Sequence, residues 1–207
     1  MSSTQIEKII FATTNQGKMN EIRMIMKDCP IPIVSLKEAG ISADIVEDGT
    51  TFEENAIIKA KAIMELTGCL TLADDSGLEV DYINKEPGVY SARYMGEDTP
   101  YSVKNQSIID RLHDAVGKER SARFVCSIAA CFPDGRVLTT YGTIEGEIGY
   151  EEKGENGFGY DPILYVPEYG KTTGEMEPEF KNEISHRGIA IRRMWEKLQE
   201  ELPHGGI

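Results

Sequence analysis

Short apolar runs alternate along the chain with stretches in which apolar residues recur every three or four positions. The runs at 8–13, 31–36, 70–73, 123–132, 137–144 and 163–166 predict β-strands. Helical spacing over 20–27, from Thr50 or Thr51 to Gly68, from Thr99 through Val116, and from Ser185 onwards predicts helices. Pro133 to Arg136 is typical of a hairpin turn. Together these elements predict a mixed α/β chain.

Composition narrows the class of protein. The chain has 207 residues, 40% of them hydrophobic and 28% charged, enough for one folded domain or two lobes around a cleft. The formal net charge of −13 argues against a protein that binds DNA or RNA. It is compatible with binding of free nucleotides, because a local pocket of lysines and a metal ion can outweigh the overall negative charge. Four cysteines without a CxxC pair indicate reduced thiols. No secretory signal or membrane span is readable, so we expect a cytoplasmic protein.

The segment Thr13-Thr14-Asn15-Gln16-Gly17-Lys18 lies between a predicted strand and a predicted helix. Backbone N–H groups at such a turn favour phosphate, and Lys18 adds a positive charge. The alternative is an ordinary Asn-Gly turn with a solvated lysine. The Walker A pattern is absent, which disfavours a P-loop kinase.

A second group of residues is acidic. Asp74 and Asp75 follow the apolar run 70–73, where adjacent carboxylates are costly unless a cation compensates them. Magnesium prefers one or two carboxylates together with phosphate oxygens, so a metal site competes with a plain acidic turn. Glu47, in a predicted loop, is a candidate second ligand. Lys59 shares a helix face with Asn55 and is placed to direct its charge into a cleft.

Two further motifs are suited to a flat ligand. In Gly157-Phe158-Gly159-Tyr160-Asp161-Pro162, the glycines let the backbone approach closely and Phe158 is able to stack on a base. Lys181 and the pair His186-Arg187 offer hydrogen-bond donors. A first helical turn suits carboxylates better than cations, so His186 and Arg187 indicate a task such as contacting a purine. A core Phe and a capped surface helix are the structural alternatives.

These elements, in this order, resemble the inosine triphosphate pyrophosphatase family, in its bacterial branch, from about Ile9 to Leu198. The matching segments are Thr13-x-Asn15-x-x-Lys18, Gly49-x-Thr51-Phe52-x-Glu54-Asn55-Ala56, Ala73-Asp74-Asp75-Ser76-Gly77-Leu78, Pro87-Gly88-Val89-Tyr90-Ser91-Ala92-Arg93-Tyr94, Gly157-Phe158-Gly159-Tyr160-Asp161-Pro162 and Ile184-Ser185-His186-Arg187. The resemblance implies an elongated mixed β-sheet whose flanking helices form two lobes around a central nucleotide-binding cleft. It also implies one pyrophosphatase domain over 1–207 and a homodimer.

The resemblance further implies hydrolysis of dITP, ITP and XTP to the monophosphate and pyrophosphate, with Mg²⁺ as cofactor. Asp75 is then the catalytic proton acceptor, and Asp75 and Glu47 are the metal ligands. The implied substrate-binding residues are Thr13, Thr14, Asn15, Gln16, Gly17, Lys18, Lys59, Ser76, Phe158, Gly159, Tyr160, Asp161, Lys181, His186 and Arg187. Thr14 departs from the pattern, because some relatives have Gly there.

Two other functions stay open on the sequence. One is a sensor that binds a nucleotide without cleaving it, although a binder has no need of Asp74, Asp75 and Glu47 together. The other is a pyrophosphatase for a different nucleotide, with a pyrimidine or a modified base. Hydrogen-bond donors would distinguish the 6-oxo group of hypoxanthine or xanthine from the 6-amino group of adenine, but no residue explains how guanine is excluded.

Overall fold

The computed structural model describes residues 6–201, and each predicted strand and helix has a counterpart there. The first five residues, part of the segment inspected for a secretory signal, lie outside that range. The helices are α1 (Gln16–Ile25), α2 (Phe52–Thr67), α3 (Tyr101–Arg111), α4 (Pro178–Ile184) and α5 (His186–Glu201). The strands are β1 (Ile9–Phe11), β2 (Ile33–Ser35), β3 (Thr71–Val80), β4 (Glu86–Pro87), β5 (Ser121–Cys131), β6 (Val137–Ile148), β7 (Leu164–Val166) and β8 (Lys171–Thr172).

The strands form one mixed sheet in the order β2-β1-β3-β5-β6-β7-β8, with β4 paired to β3. β1 is parallel to β2 and to β3, so Ile10 lies opposite Val34 on one side and Thr71 on the other. β4 is antiparallel to β3, and β7 is antiparallel to β6 and to β8. The predicted mixed α/β fold with a central sheet and flanking helices is therefore confirmed.

The chain divides into two compact units. Unit 1 comprises the residues up to Asp75, 126–142 and those from Arg187 onwards, and unit 2 comprises 76–125 and 143–186. In unit 1, β1 has both faces buried: Ile9 and Phe11 pack in a core with α1 and α5, while Ile10 packs with α2. Burial on both faces explains why this strand is uniformly apolar. Unit 2 has its own core, which includes Leu78, Ile108 and Ile163.

Of the two residues at which α2 was predicted to start, Thr51 is the one that caps the helix. Thr51 Oγ1 accepts a hydrogen bond from Glu54 N at 3.1 Å, and Glu54 Oε2 accepts one from Thr51 N at 3.2 Å. This capping box satisfies two amide groups that the helix itself leaves without partners. Gly68, with φ of 65°, ends the helix in the left-handed conformation.

Several predicted boundaries are wrong, among them the end of β6, which lies at Ile148 instead of residue 144. α1 begins at Gln16 instead of residue 20, because Asn15 caps it. β3 continues to Val80 instead of ending at residue 73, since Leu78 and Val80 are buried and β4 pairs with its final residues. The aspartate pair therefore lies within the strand. α3 ends at Arg111, and Val116, predicted to be buried on that helix, is 66% exposed in the segment that follows.

The four cysteines are free thiols, with Cys126 and Cys131 buried and Cys29 and Cys69 partly buried. In residues 6–201 no helix combines the length and the apolar character needed to cross a membrane.

Candidate active site

The predicted phosphate-binding turn forms the start of α1. Asn15 Oδ1 accepts a hydrogen bond from Lys18 N at 3.1 Å, and Asn15 N donates to Thr13 Oγ1 at 3.1 Å. Thr13 is buried, whereas Thr14, Asn15 and Gln16 are exposed and Gly17 is partly buried. The first amide groups of a helix lack intrahelical partners and suit anions, so the exposed turn is able to receive a phosphate.

Asp74 is buried against two cations. Lys18 Nζ lies 2.9 Å from Asp74 Oδ2 and 3.0 Å from Oδ1, and Arg187 Nε lies 3.5 Å from Oδ2. Only 1% of Asp74 is exposed, and burial by itself disfavours its charged form. Lys18 and Arg187 outweigh that penalty and hold the pKa of Asp74 well below its ordinary value. Asp74 is therefore an anion throughout the neutral range.

Arg187 lies in this ionic group, together with a residue that sequence reasoning missed. Its Nη1 donates to Glu21 Oε2. Burial opposes the charge of Arg187, but Glu21 and Asp74 overcome it and raise its pKa. Glu21 stands three positions after Lys18 on α1, and this helical spacing was the available signal. Two cations and two anions balance one another in the group.

Asp75 has weaker compensation than its neighbour. Its Oδ2 accepts from Asn55 Nδ2 at 3.1 Å, and its Oδ1 lies 3.7 Å from Lys59 Nζ. Burial is the largest effect and raises the pKa of Asp75 to about 6, although Lys59 and Asn55 oppose that rise. A carboxyl group with this pKa is suited to accepting a proton near neutral pH.

Glu47 also contacts Lys59. Lys59 Nζ is 2.8 Å from Glu47 Oε2, so one ammonium group is close to two carboxylates, those of Glu47 and Asp75. Burial lowers the pKa of Lys59, but Asp74, Asp75 and Glu47 more than offset this effect and raise it. Asn55 is held in place because its Oδ1 accepts from Gly49 N at 2.9 Å. The predicted shared face of Asn55 and Lys59 thus points towards Asp75.

The donor set fits a hard divalent cation. Glu47 and Asp75 supply carboxylate oxygens around a position that already attracts positive charge, as Mg²⁺ requires when phosphate oxygens complete its coordination. Within the described part of the chain, no group of three or more His, Cys, Asp or Glu side chains is placed to hold a metal ion.

The glycine-rich loop belongs to unit 2 and is organised by Asp161. This buried carboxylate accepts from Phe158 N at 2.8 Å and from Lys181 Nζ at 2.7 Å through Oδ2. Its Oδ1 accepts from Thr173 Oγ1 at 2.9 Å. Lys181 Nζ also lies 5.4 Å from the centroid of the partly buried Phe158 ring. Asp161 therefore holds the loop and the lysine together.

Tyr160 anchors the same loop from inside unit 2. Its hydroxyl donates to Ser91 O at 2.7 Å, and its ring meets that of Tyr101 edge to face with centroids 5.1 Å apart. Burial raises the pKa of Tyr160. His186 is buried as well, with its ring 5.0 Å from that of Phe124. Ser91, Tyr101 and Phe124 were not among the predicted site residues.

The predicted residues therefore form two groups. The charged residues Lys18, Glu47, Lys59, Asp74, Asp75 and Arg187 all belong to unit 1. The residues expected to hold a base, Phe158, Gly159, Tyr160, Asp161, Lys181 and His186, belong to unit 2, whereas Arg187 was expected with them and pairs instead with Glu21 and Asp74. Ser76 is the first residue of unit 2 and is partly buried on β3.

Comparison with known proteins supports the resemblance deduced from the motifs. The model of the Ham1 family matches residues 9–197. A dITP/XTP pyrophosphatase of Desulforamulus reducens is 47% identical over 197 residues, covering 95% of this chain and 98% of that protein. One from Clostridium perfringens is 44% identical, covering 94% and 98%. The structure of a HAM1 protein from Coxiella burnetii aligns with a TM-score of 0.85 and 41% identity, covering 93% and 98%.

Replacing Gly157 with alanine should disrupt the contacts that hold the glycine-rich loop and lower the stability of the protein. The added Cβ would lie 2.1 Å from Asp161 Oδ2 and 3.1 Å from Lys181 Nζ, at a backbone φ of +76°. Asp161 must then move away from Lys181 and Phe158 N, and disrupting a buried pair of this kind costs about 3 kcal/mol. Urea unfolding measures the loss.

The matched control is Gly117→Ala, where φ is +53° and, apart from its chain neighbours, no atom of residues 6–201 lies within 4 Å of the added Cβ. Only backbone strain remains there, of about 1 kcal/mol. Equal destabilisation by the two substitutions would contradict the role given to Asp161.

Proposed function

Because the chain belongs to the Ham1 family, we propose that it hydrolyses dITP, ITP and XTP to the nucleoside monophosphate and pyrophosphate. The observation that carries the proposal is the pair of adjacent carboxylates, Asp74 and Asp75, with Lys18 on one and Lys59 near the other. Relatives named dITP/XTP pyrophosphatases support the substrate class. By the same resemblance, we propose one pyrophosphatase domain and a homodimer.

We propose that Glu47 and Asp75 hold the Mg²⁺ ion. When bound, Mg²⁺ supplies positive charge that offsets the charge of the triphosphate and favours ionisation of the attacking water. Lys59 must share these two carboxylates with the ion, and its long side chain allows the ammonium group to turn towards a phosphate.

The start of α1 is the proposed triphosphate site, where the exposed turn from Thr13 to Gly17 offers amide groups and Lys18 offers its charge. Lys18 is able to exchange Asp74 for a phosphate oxygen because Arg187 stays beside that buried carboxylate. Without Arg187, the same movement would leave Asp74 buried and uncompensated, which is costly. Arg187 thus acts at the phosphates through Asp74.

Asp75 is the proposed general base. Asn55 holds one of its carboxylate oxygens, which leaves the other directed towards Lys59. In its ionised form Asp75 accepts the proton of the water that attacks the α-phosphorus. Lys18 and Lys59 stabilise the charge that develops on the departing pyrophosphate.

Base recognition is assigned to unit 2. Phe158 provides a face for stacking, while Ser76, Gly159 and Tyr160 shape the surroundings. Donors of Lys181 and His186 pair with a 6-oxo group, whereas the 6-amino group of adenine would place donor against donor. Asp161, whose oxygens already accept from the loop and from Lys181, acts by holding that lysine.

A pyrophosphate-release assay tests the proposal directly. With Mg²⁺ present, we expect ITP, dITP and XTP each to yield monophosphate and pyrophosphate, resolved by anion-exchange chromatography, and ATP to be cleaved poorly. A chelator should stop the reaction. Release of orthophosphate with a diphosphate would contradict the cleavage site. Binding without cleavage would indicate a nucleotide sensor. Faster cleavage of a pyrimidine nucleotide would indicate a pyrophosphatase for a different nucleotide.

The substitution Asp75→Asn removes the proposed base while it keeps the size of the side chain. We expect turnover of ITP to fall by about 1000-fold, as is typical for loss of a general base. Nucleotide affinity, measured by calorimetry without Mg²⁺, should stay within about threefold because the phosphate-binding lysines remain. Asp134→Asn, at an exposed hairpin, is the matched control. Turnover of Asp75→Asn within tenfold of the unmodified protein would refute this role.

The pH dependence of kcat/KM follows from the pKa of Asp75. That pKa is raised to about 6 in the folded protein, so the ionised base is lost as pH falls through 6. We expect kcat/KM for ITP to be level above pH about 7 and to fall about tenfold per pH unit below about 6. Asp75→Asn should lack this acidic limb. An identical limb in the variant would assign the titration to another group.

A further inference from the structure

Helix α3 buries two polar side chains, Lys104 and Asn105, and Asn105 contacts the glycine-rich loop. Lys104 is 0% exposed and Asn105 is 1% exposed. Lys104 Nζ donates to Ala92 O at 2.8 Å and lies 4.8 Å from the centroid of the Tyr101 ring. Buried amides and ammonium groups are costly unless hydrogen bonds compensate them, so their position indicates a task beyond helix formation.

Asn105 connects two separate segments of unit 2. Its Nδ2 donates to Glu152 Oε1 at 2.6 Å and to Gly159 O at 3.3 Å. Both partners are acceptors, which determines the orientation of the amide group. In the described part of the chain, the buried Oδ1 of Asn105 has no hydrogen-bond partner. The unpaired acceptor costs free energy, but this orientation of the amide group directs both N–H groups at the two acceptor oxygens.

Gly159 is the point at which this contact acts on the loop. It lies between Phe158 and Tyr160 with φ of +67°, a left-handed conformation. Its carbonyl group belongs to the peptide bond with Tyr160. A contact to this oxygen therefore fixes the direction of the chain between the two aromatic residues. Tyr160 is already anchored at Ser91, and the hydrogen bond from Asn105 fixes the peptide between that anchor and Phe158.

We infer that Asn105 is a positioning residue for the base-binding loop, which acts on bound nucleotide through the Gly159 carbonyl. The inference uses the proposed function only where it treats Phe158 as a stacking face. Glu152 has a different role, because its hydrogen bond with Asn105 orients the amide group and stabilises unit 2.

Three variants separate these two bonds. Asn105→Asp is isosteric and places a carboxylate against two acceptors, so both bonds are lost. Glu152→Gln keeps an acceptor oxygen for Asn105 and serves as the matched control. In the double variant, the new amide at position 152 is able to donate to the new carboxylate at position 105, which restores that bond with reversed polarity and leaves the net charge of the pair unchanged. The Gly159 carbonyl still faces a carboxylate.

The readouts are the thermal midpoint, hydrogen exchange of the peptide that contains 158–160, and the steady-state kinetics of ITP cleavage. For Asn105→Asp we expect a lowered midpoint, exchange about tenfold faster in the loop, and KM about tenfold higher with kcat within about threefold. Glu152→Gln should resemble the unmodified protein in all three. The double variant should recover the midpoint while it keeps the fast exchange and the high KM.

A purely structural role predicts that exchange and KM recover together with the midpoint, and that result would overturn the inference. Unchanged loop exchange in the folded double variant would overturn it as well, even if Asn105→Asp alone failed to fold. Hydrogen exchange needs no substrate, so absence of ITP cleavage by the unmodified protein would refute the proposed function while the exchange data still decided the role of Asn105.

Discussion

The alternation of side chains along β3 is the constraint on which the charged site depends. Neighbouring residues of a strand point to opposite faces of its sheet, so Asp74 and Asp75 make their direct contacts with different side chains. Asp74 meets Lys18 of α1 and Arg187 of α5, whereas Asp75 meets Asn55 and Lys59 of α2. The two adjacent aspartates thereby connect α1 and α5 with α2 through ionic contacts and hydrogen bonds.

The two carboxylates acquire different chemistry because their compensation differs. Two cations, Lys18 and Arg187, hold Asp74 in its charged form, so it is a permanent counter-ion for both. Asp75 has a more distant lysine and one amide, and burial therefore raises its pKa to about 6. Separation of two carboxyl pKa values by their surroundings is a common way to divide anionic and proton-accepting roles.

In unit 2, several buried polar side chains form hydrogen bonds with backbone groups. Asp161 accepts from Phe158 N, Asn105 donates to Gly159 O, and Tyr160 donates to Ser91 O. A loop with several glycines has much conformational freedom to lose, and these buried contacts restrict it before any ligand arrives. In the proposed function, preorganisation of this kind would lower the entropic cost of orienting Phe158 on a base.

Much of the fold and of the candidate site could be predicted because the relevant patterns are local. Apolar runs placed most strands, and Thr51, Glu54 and Gly68 marked both ends of α2. The extent of β3 could not be predicted in this way, because pairing with β4 and burial of Leu78, not the run 70–73, decide where it ends.

From the sequence alone it was possible to predict the members of the candidate site, namely the turn before α1, the aspartate pair, the lysines and the glycine-rich loop. The partners of these residues, in contrast, depend on how the chain packs. Arg187 pairs with Glu21 across 166 positions, and Asn105 reaches Gly159 across 54. Ion pairs and buried hydrogen bonds depend on distances that arise only when the strands and helices pack, and no periodicity along the chain encodes those distances.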